Sequence, residues 1–239
     1  MSFKNFDTLE AMKDYLATSD VEVSIANLSR YINGKALPKS KLKDEILRVL
    51  VGNKDLGLTI EGLIGRHINN WTDNLGNIAV NNTYLLNDSK TLKAILFLAI
   101  QQKIIPRDVD KIITAEVDGI PVAMTLAHLL NVDCVYARRK KPLGTTNCIA
   151  EDIQSMSSGR VETIYLPEKF INHNERVLIV DDVIRSGSTQ KALVELVRRS
   201  SGIPVKIIIL TGIGKHWGKI TELNRIPFKI LKSFPEDSG

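Results

Sequence analysis

The sequence is poor in cysteine: Cys134 and Cys148 are the only two. Two thiols build neither a disulfide framework nor a four-ligand zinc site. They read as reduced, idle thiols of a cytosolic protein. No run of about 18 apolar residues occurs, so no segment reads as a membrane-spanning helix. The opening residues, Met1-Ser2-Phe3-Lys4-Asn5-Phe6-Asp7, lack the apolar stretch of a secretory signal. Internal repeats and low-complexity tracts are absent too. Neither sign of charge dominates, since 32 Lys and Arg against 27 Asp and Glu leave a net charge of +5. That permits a polyanionic partner without requiring one. The expectation is a cytoplasmic protein with no metal-ligand cluster.

What is present is enough apolar material for a sizeable core, 44% of the residues. It is organised in two parts. Up to about Trp71 the chain reads as short helices broken by Gly, Pro and Ser. From about Asp110, apolar β-branched runs alternate with helical patterns. Strands are expected at Lys111–Ala115, Val132–Ala137, Arg160–Leu166, Val177–Val180 and Val205–Leu210. Helices are expected at Ile120–Leu130 and Thr189–Ser201. This rhythm predicts an α/β fold with a mostly parallel, doubly wound sheet flanked by helices. A further helix over Asp88–Lys103, with Asp88 as N-cap, opens this domain. The polar stretch Trp71–Asn82 marks the boundary, giving domains over residues 1–75 and 76–239.

The most informative segment is Val177–Thr189. Four apolar residues are followed by Asp181 and Asp182, then Val183, Ile184, Arg185, Ser186, Gly187, Ser188 and Thr189, where a helix begins. Ligands of open α/β sheets bind outside the carboxyl ends of strands. A helix N-terminus favours a phosphate, Gly187 lets the backbone approach it, and the hydroxyls add donors. Adjacent carboxylates suit vicinal sugar hydroxyls. Together these residues describe a cradle for a ribose 5-phosphate.

These thirteen residues resemble the signature of type I phosphoribosyltransferases, which binds phosphoribosyl diphosphate (PRPP). The resemblance covers about Asn82–Ser233 and implies more. A diphosphate loop falls on Ala115, Glu116, Val117, Asp118 and Gly119. Basic residues after the next strand, Arg139, Lys140 and Lys141, meet the diphosphate, with Mg²⁺ bound alongside PRPP. Pro142–Gly159 becomes a flexible closing loop, and Thr211–Gly239 forms a small base-selecting hood. A two-fold homodimer is implied as well. In the hood Lys215, His216 and Trp217 are open to two readings, a base contact or ordinary packing. Arg185 departs from the small residue usual at its position, and it either strengthens phosphate binding or obstructs turnover. Asp118 sets a negative charge where the diphosphate would lie.

In the first part, Thr8–Leu16, Ser24–Ile32 and Lys41–Val51 fit amphipathic helices. Ile25, Leu28 and Ile32 share one face, leaving Asn27, Ser29, Arg30 and Tyr31 largely exposed. Asn33-Gly34 ends that helix. Between residues 24 and 48, six basic residues oppose two acidic ones. The string Leu28–Ser40 is similar to the recognition helix and turn of phage-repressor helix-turn-helix domains. The resemblance implies that Ser24, Asn27, Ser29, Arg30, Tyr31, Lys35 and Lys39 contact double-stranded DNA. A longer, more acidic Ala17–Val23 departs from that pattern, and a small helical cap or dimerisation arm is the plainer alternative.

Three functions remain open. The first is a transcription regulator whose DNA-binding head is fused to a PRPP sensor, similar to archaeal orotate-phosphoribosyltransferase-like regulators and to the bacterial purine repressor. The second is an active purine or orotate phosphoribosyltransferase. The third is a binding module without a DNA partner.

Overall fold

The computed structural model describes residues 8–32, 35–52, 59–72, 78–145, 147–154, 161–214, 217 and 226–235. The chain divides into two compact units, Met1–Arg66 and His67–Gly239.

The first unit is helical: α1 (Leu9–Ala17), α2 (Ile25–Ile32), α3 (Ser40–Gly52) and α4 (Ile60–His67). Thr8 caps α1, its Oγ1 accepting from Ala11 N at 3.1 Å. Ser24 Oγ accepts from Asn27 N at 3.2 Å and closes the first turn of α2. Apolar residues at helical spacing then meet in one core of Met12, Leu16, Val21, Val23, Leu28, Ile46, Val49 and Leu50. The three expected helices stand within a residue or two of their predicted ends. Tyr31 does not: it packs against this core rather than remaining largely exposed. Asn33-Gly34 lies outside the described residues.

In the second unit β3 (Lys111–Ala115), β4 (Asp133–Ala137), β7 (Arg176–Ile184), β8 (Ile203–Ile213) and β9 (Phe228–Phe234) form one parallel sheet in the order β4-β3-β7-β8-β9. The central strand β7 is apolar on both faces over Val177–Val180, all fully buried. α7 (Gly119–Leu130) connects β3 to β4, and α8 (Ser188–Arg199) connects β7 to β8. The two crossovers run to opposite edges, so right-handed connections put the helices on opposite faces. α5 (Thr83–Asn87) and α6 (Ser89–Gln101) pack with α7. As expected, Asp88 caps α6, and Leu92, Ile95, Leu96 and Ala99 are buried.

Several boundaries differ from expectation. β7 runs nine residues, not four, because the ladder to β8 continues through Asp181↔Ile209 and Ile184↔Gly212. The acids therefore lie within the strand rather than after it. The expected closing loop Pro142–Gly159 contains a strand, β5 (Cys148–Gln154), paired antiparallel with β6 (Val161–Pro167). Ile149 and Ile153 of β5 are buried, while the intervening Glu151 pairs with Arg199 of α8 at 2.5 Å. That ion pair explains why no clean apolar alternation reveals the strand. The expected hood, Thr211–Gly239, instead supplies the end of β8 and the edge strand β9. The polar stretch read as a boundary forms a hairpin, β1 (Asn69–Thr72) with β2 (Ile78–Asn81). It belongs to the second unit, which moves the division to Arg66 from the expected residue 75. No described helix is long and apolar enough to cross a membrane.

Candidate ligand-binding site

The carboxyl edge of the sheet gathers the chemistry. A cleft of about 490 Å³ lies there, lined on one side by Val80, Asn81, Asn82 and Thr83 at the β2–α5 junction. Val117 and Asp118 after β3, and Asp182 of β7, line the other. Open parallel sheets bind ligands at this edge.

Successive strand residues leave on alternate faces, yet the Asp181 and Asp182 carboxyls remain in contact with one another. Asp181 turns towards α8, accepts from Gln190 Nε2 at 2.6 Å and is 6% exposed. Burial first, then the neighbouring Asp182 charge, pushes its carboxyl well above the ordinary range. Asp182 turns the other way and accepts from Asn82 Nδ2 at 3.1 Å. Burial raises its carboxyl too, with the Asp118 charge adding and the Asn82 bond opposing. The two carboxyls also interact directly with one another, so the adjacent acids stay paired at the strand's carboxyl end. Asp182 and Asp118 line the cleft, and Asp181 joins Asp182 to Gln190.

Gly119 fixes how closely the loop before α7 approaches. A Cβ there would sit 2.1 Å from Thr114 Oγ1 and 2.8 Å from Asp181 Oδ1. Only glycine fits. Ala115 and Ile184 are core members, so only their backbone is available to a ligand. Val183 is half-buried. Glu116 is tied to the basic segment: Oε1 accepts from Arg139 N at 2.6 Å, and Oε2 lies 3.5 Å from Arg138 Nε. Arg139 pairs with Glu162 of β6. Lys140 and Lys141 are exposed. The basic run therefore stands next to the diphosphate loop, with part of its charge balanced by two glutamates.

After β7 comes the loop Arg185–Gly187. Gly187 adopts φ 84°, a left-handed conformation that favours glycine, and α8 starts one residue earlier than expected. Ser186 Oγ and Ser188 Oγ are 2.9 Å apart, and Ser188 N donates to Ser186 Oγ at 3.3 Å. Thr189 is half-buried, and Arg185 is exposed. The first N–H groups of α8 lack intrahelical acceptors by construction, so the loop presents hydroxyls and amides to an anion.

Of the residues suggested for base contact, Lys215 and His216 lie outside the described residues. Trp217 stacks on Phe228 at 5.4 Å and donates Nε1 to Gly214 O at 2.8 Å. It is a packing residue. The cysteines form no disulfide, and burial pushes the Cys134 thiol up to about 11. Among the described residues no three His, Cys, Asp or Glu side chains converge to hold a metal. Sequence reasoning missed Asn82 and Gln190. Both are neutral amides whose importance depends on carboxylates distant in sequence.

On the α2 side of the chain, Ser24, Asn27, Arg30, Lys35 and Lys39 are exposed and Ser29 is half-buried. Lys35 N donates to Arg30 O at 2.8 Å, closing the end of α2.

The phosphoribosyl transferase domain model matches residues 85–237. A xanthine phosphoribosyltransferase of Lactobacillus delbrueckii subsp. bulgaricus is 32% identical over 93 residues, 38% of this chain and 49% of that protein. A probable purine biosynthesis transcriptional regulator, PurR, of Streptococcus pneumoniae is 31% identical over 100 residues, 41% of this chain and 36% of the relative. The chain spans about half the length, or less, of these relatives. The crystal structure of adenine phosphoribosyltransferase from Thermoanaerobacter pseudethanolicus superposes with a TM-score of 0.64 at 24% identity. The match covers 74% of this chain and all of that one, and the likeness is one of fold.

Proposed function

This chain belongs to the phosphoribosyl transferase domain family, and we propose that it is a transcription regulator whose cleft senses PRPP or a closely related ribose phosphate. The observation that carries the reading is the separate helical unit, Met1–Arg66, ahead of the family domain. Its α2 bears exposed Asn27 and Arg30, followed by exposed Lys35 and Lys39. Asn and Arg are the side chains that read purine edges in the major groove, and lysines meet phosphates. The similarity to a protein named as a purine regulator supports the pairing of this domain with transcription.

In the cleft, Asp182 accepts from ribose hydroxyls and the Arg185–Thr189 loop holds the 5-phosphate. Arg139, Lys140 and Lys141 face the diphosphate. The residues fit PRPP better than they fit a protein-held metal. Any Mg²⁺ arrives on the ligand's own phosphate oxygens, and no protein ligand is assigned to it. A homodimer suits paired DNA half-sites about one helical turn apart.

The second reading, an active phosphoribosyltransferase, is favoured by the xanthine phosphoribosyltransferase relatives. A base nitrogen would form a bond to C1 of PRPP as the C1–O bond breaks and diphosphate leaves. Against it stand bulky Arg185 and a Trp217 engaged in packing.

Mobility shifts on genomic fragments, run with and without PRPP across a salt series, separate the two. The regulator binds one fragment in preference to random DNA, with a steep salt dependence and a PRPP-dependent affinity. Release of diphosphate from PRPP and a purine, with no fragment preferred, establishes the enzyme instead.

A further inference from the structure

The cleft wall contains a buried polar atom without a partner. Asn82 is 6% exposed, and among the described residues its Oδ1 accepts no hydrogen bond. The other end of the same amide is crowded. Nδ2 lies 3.1 Å from Asp182 Oδ2, 3.1 Å from Thr211 Oγ1 and 3.5 Å from Asp182 O. Thr211 Oγ1 in turn donates to Asp182 O at 2.9 Å. One side chain at the end of β2 therefore braces β7 and β8 at the carboxylate that faces the cleft.

A half-satisfied buried amide is a poor choice for stability alone. Leaving a buried acceptor unmatched costs the fold its desolvation, and a packed apolar side chain avoids that cost. What Asn82 supplies is orientation. A free carboxylate rotates about its χ2; on its own strand Asp182 is held by the Val183 N–H and by the Asp181 carboxyl, and Asn82 adds a partner from another part of the chain. The bond from Nδ2 fixes the position of Oδ2, and with it the plane of a carboxylate that lines the cleft.

We infer that Asn82 is a positioning residue, which orients the Asp182 carboxylate towards a phosphoribosyl ligand. The inference rests on the phosphoribosyl reading of the cleft. Asn82 lies ahead of residue 85, where the family match begins.

Asn82→Leu in the full chain tests it, with Asn82→Ala as a second variant should leucine prevent folding. Calorimetric titration with PRPP and Mg²⁺ is expected to show affinity about 10- to 100-fold weaker, the usual scale for losing a hydrogen bond to a charged group. The thermal midpoint of Asn82→Leu is expected to fall as well, because Asp182 and Thr211 lose a buried donor. The Asp182 carboxyl, followed by carbon NMR across pH, should titrate higher, because a donor to its ionised form is gone. A lower midpoint with unchanged affinity overturns the inference and makes Asn82 structural. So does an unmoved Asp182 titration, whether or not PRPP binds. If the wild-type chain binds no PRPP while the titration moves as stated, the phosphoribosyl reading fails and the positioning role stands.

Discussion

Gly119→Ala adds one methyl group at the tightest point of the site. The new Cβ would lie 2.1 Å from Thr114 Oγ1 and 2.8 Å from Asp181 Oδ1. Thr114 is fully buried, and Asp181 nearly so. Neither is the free end of a flexible side chain, so the N-terminus of α7 must move or the Asp181–Gln190 bond must break. Overpacking a close contact costs about 1–3 kcal/mol, and disturbing a buried charged hydrogen bond adds about 1.5–3 kcal/mol. Partial relaxation brings the expected loss to roughly 2–4 kcal/mol, and for a domain of this size each kcal/mol lowers the midpoint by about 2–4 °C. Calorimetric unfolding should therefore show a midpoint roughly 5–15 °C lower. PRPP affinity should fall as well, because Val117 and Asp118 move with the helix end. The double variant Gly119→Ala, Thr114→Ala removes the nearest atom and should recover most of the loss, a coupling of about 1–3 kcal/mol in a double-mutant cycle. A single variant that melts within a degree of wild type, or a double variant with purely additive losses, would refute the close-approach argument.

Three further outcomes are expected. Asp181 has its pKa raised by burial, so its contribution to stability is complete below the ordinary value of 3.8 and is lost as pH climbs through the raised value. Asp181→Asn should relieve that loss, and its advantage over wild type in urea unfolding should grow with pH; a pH-independent difference counts against the assignment. Arg30→Ala should weaken binding to the preferred DNA fragment by about 1–3 kcal/mol while leaving PRPP affinity intact, and loss of both activities would sink the idea of separate roles. Leu16→Ala opens the core of the helical unit at a fully buried site and should cost about 2–5 kcal/mol there. Calorimetry should then show the first unit melting early and DNA binding lost, with the second unit's transition unmoved.

Long apolar periodicities were legible without a structure. The runs at Ile112–Ile113, Val177–Val180 and Ile207–Leu210 all form central strands. The Asp88 cap and the apolar face of α6 were readable for the same reason, since capping and helical spacing are local properties. β5 escaped notice because Glu151 interrupts its buried face, and the arginine that neutralises it lies 48 residues away. β9 is not legible as a strand because a half-exposed edge strand carrying Lys229 and Lys232 resembles a surface tail. The segment Val177–Thr189 was legible as a motif, yet the partners of its acids were not.

Sequence alone determined the motif Val177–Thr189 and the family to which it points, because a strand, two acids and a Gly-Ser turn are consecutive in the chain. The tertiary structure decided which partners each acid has and that Asp182 lines the cleft. The ladder from β7 to β8 continues past the acids, through Asp181↔Ile209 and Val183↔Thr211, and holds the two carboxyls in contact. Gln190 then engages one from α8, and Asn82, 100 residues before its partner, orients the other. Such pairings arise only when distant segments fold against one sheet edge.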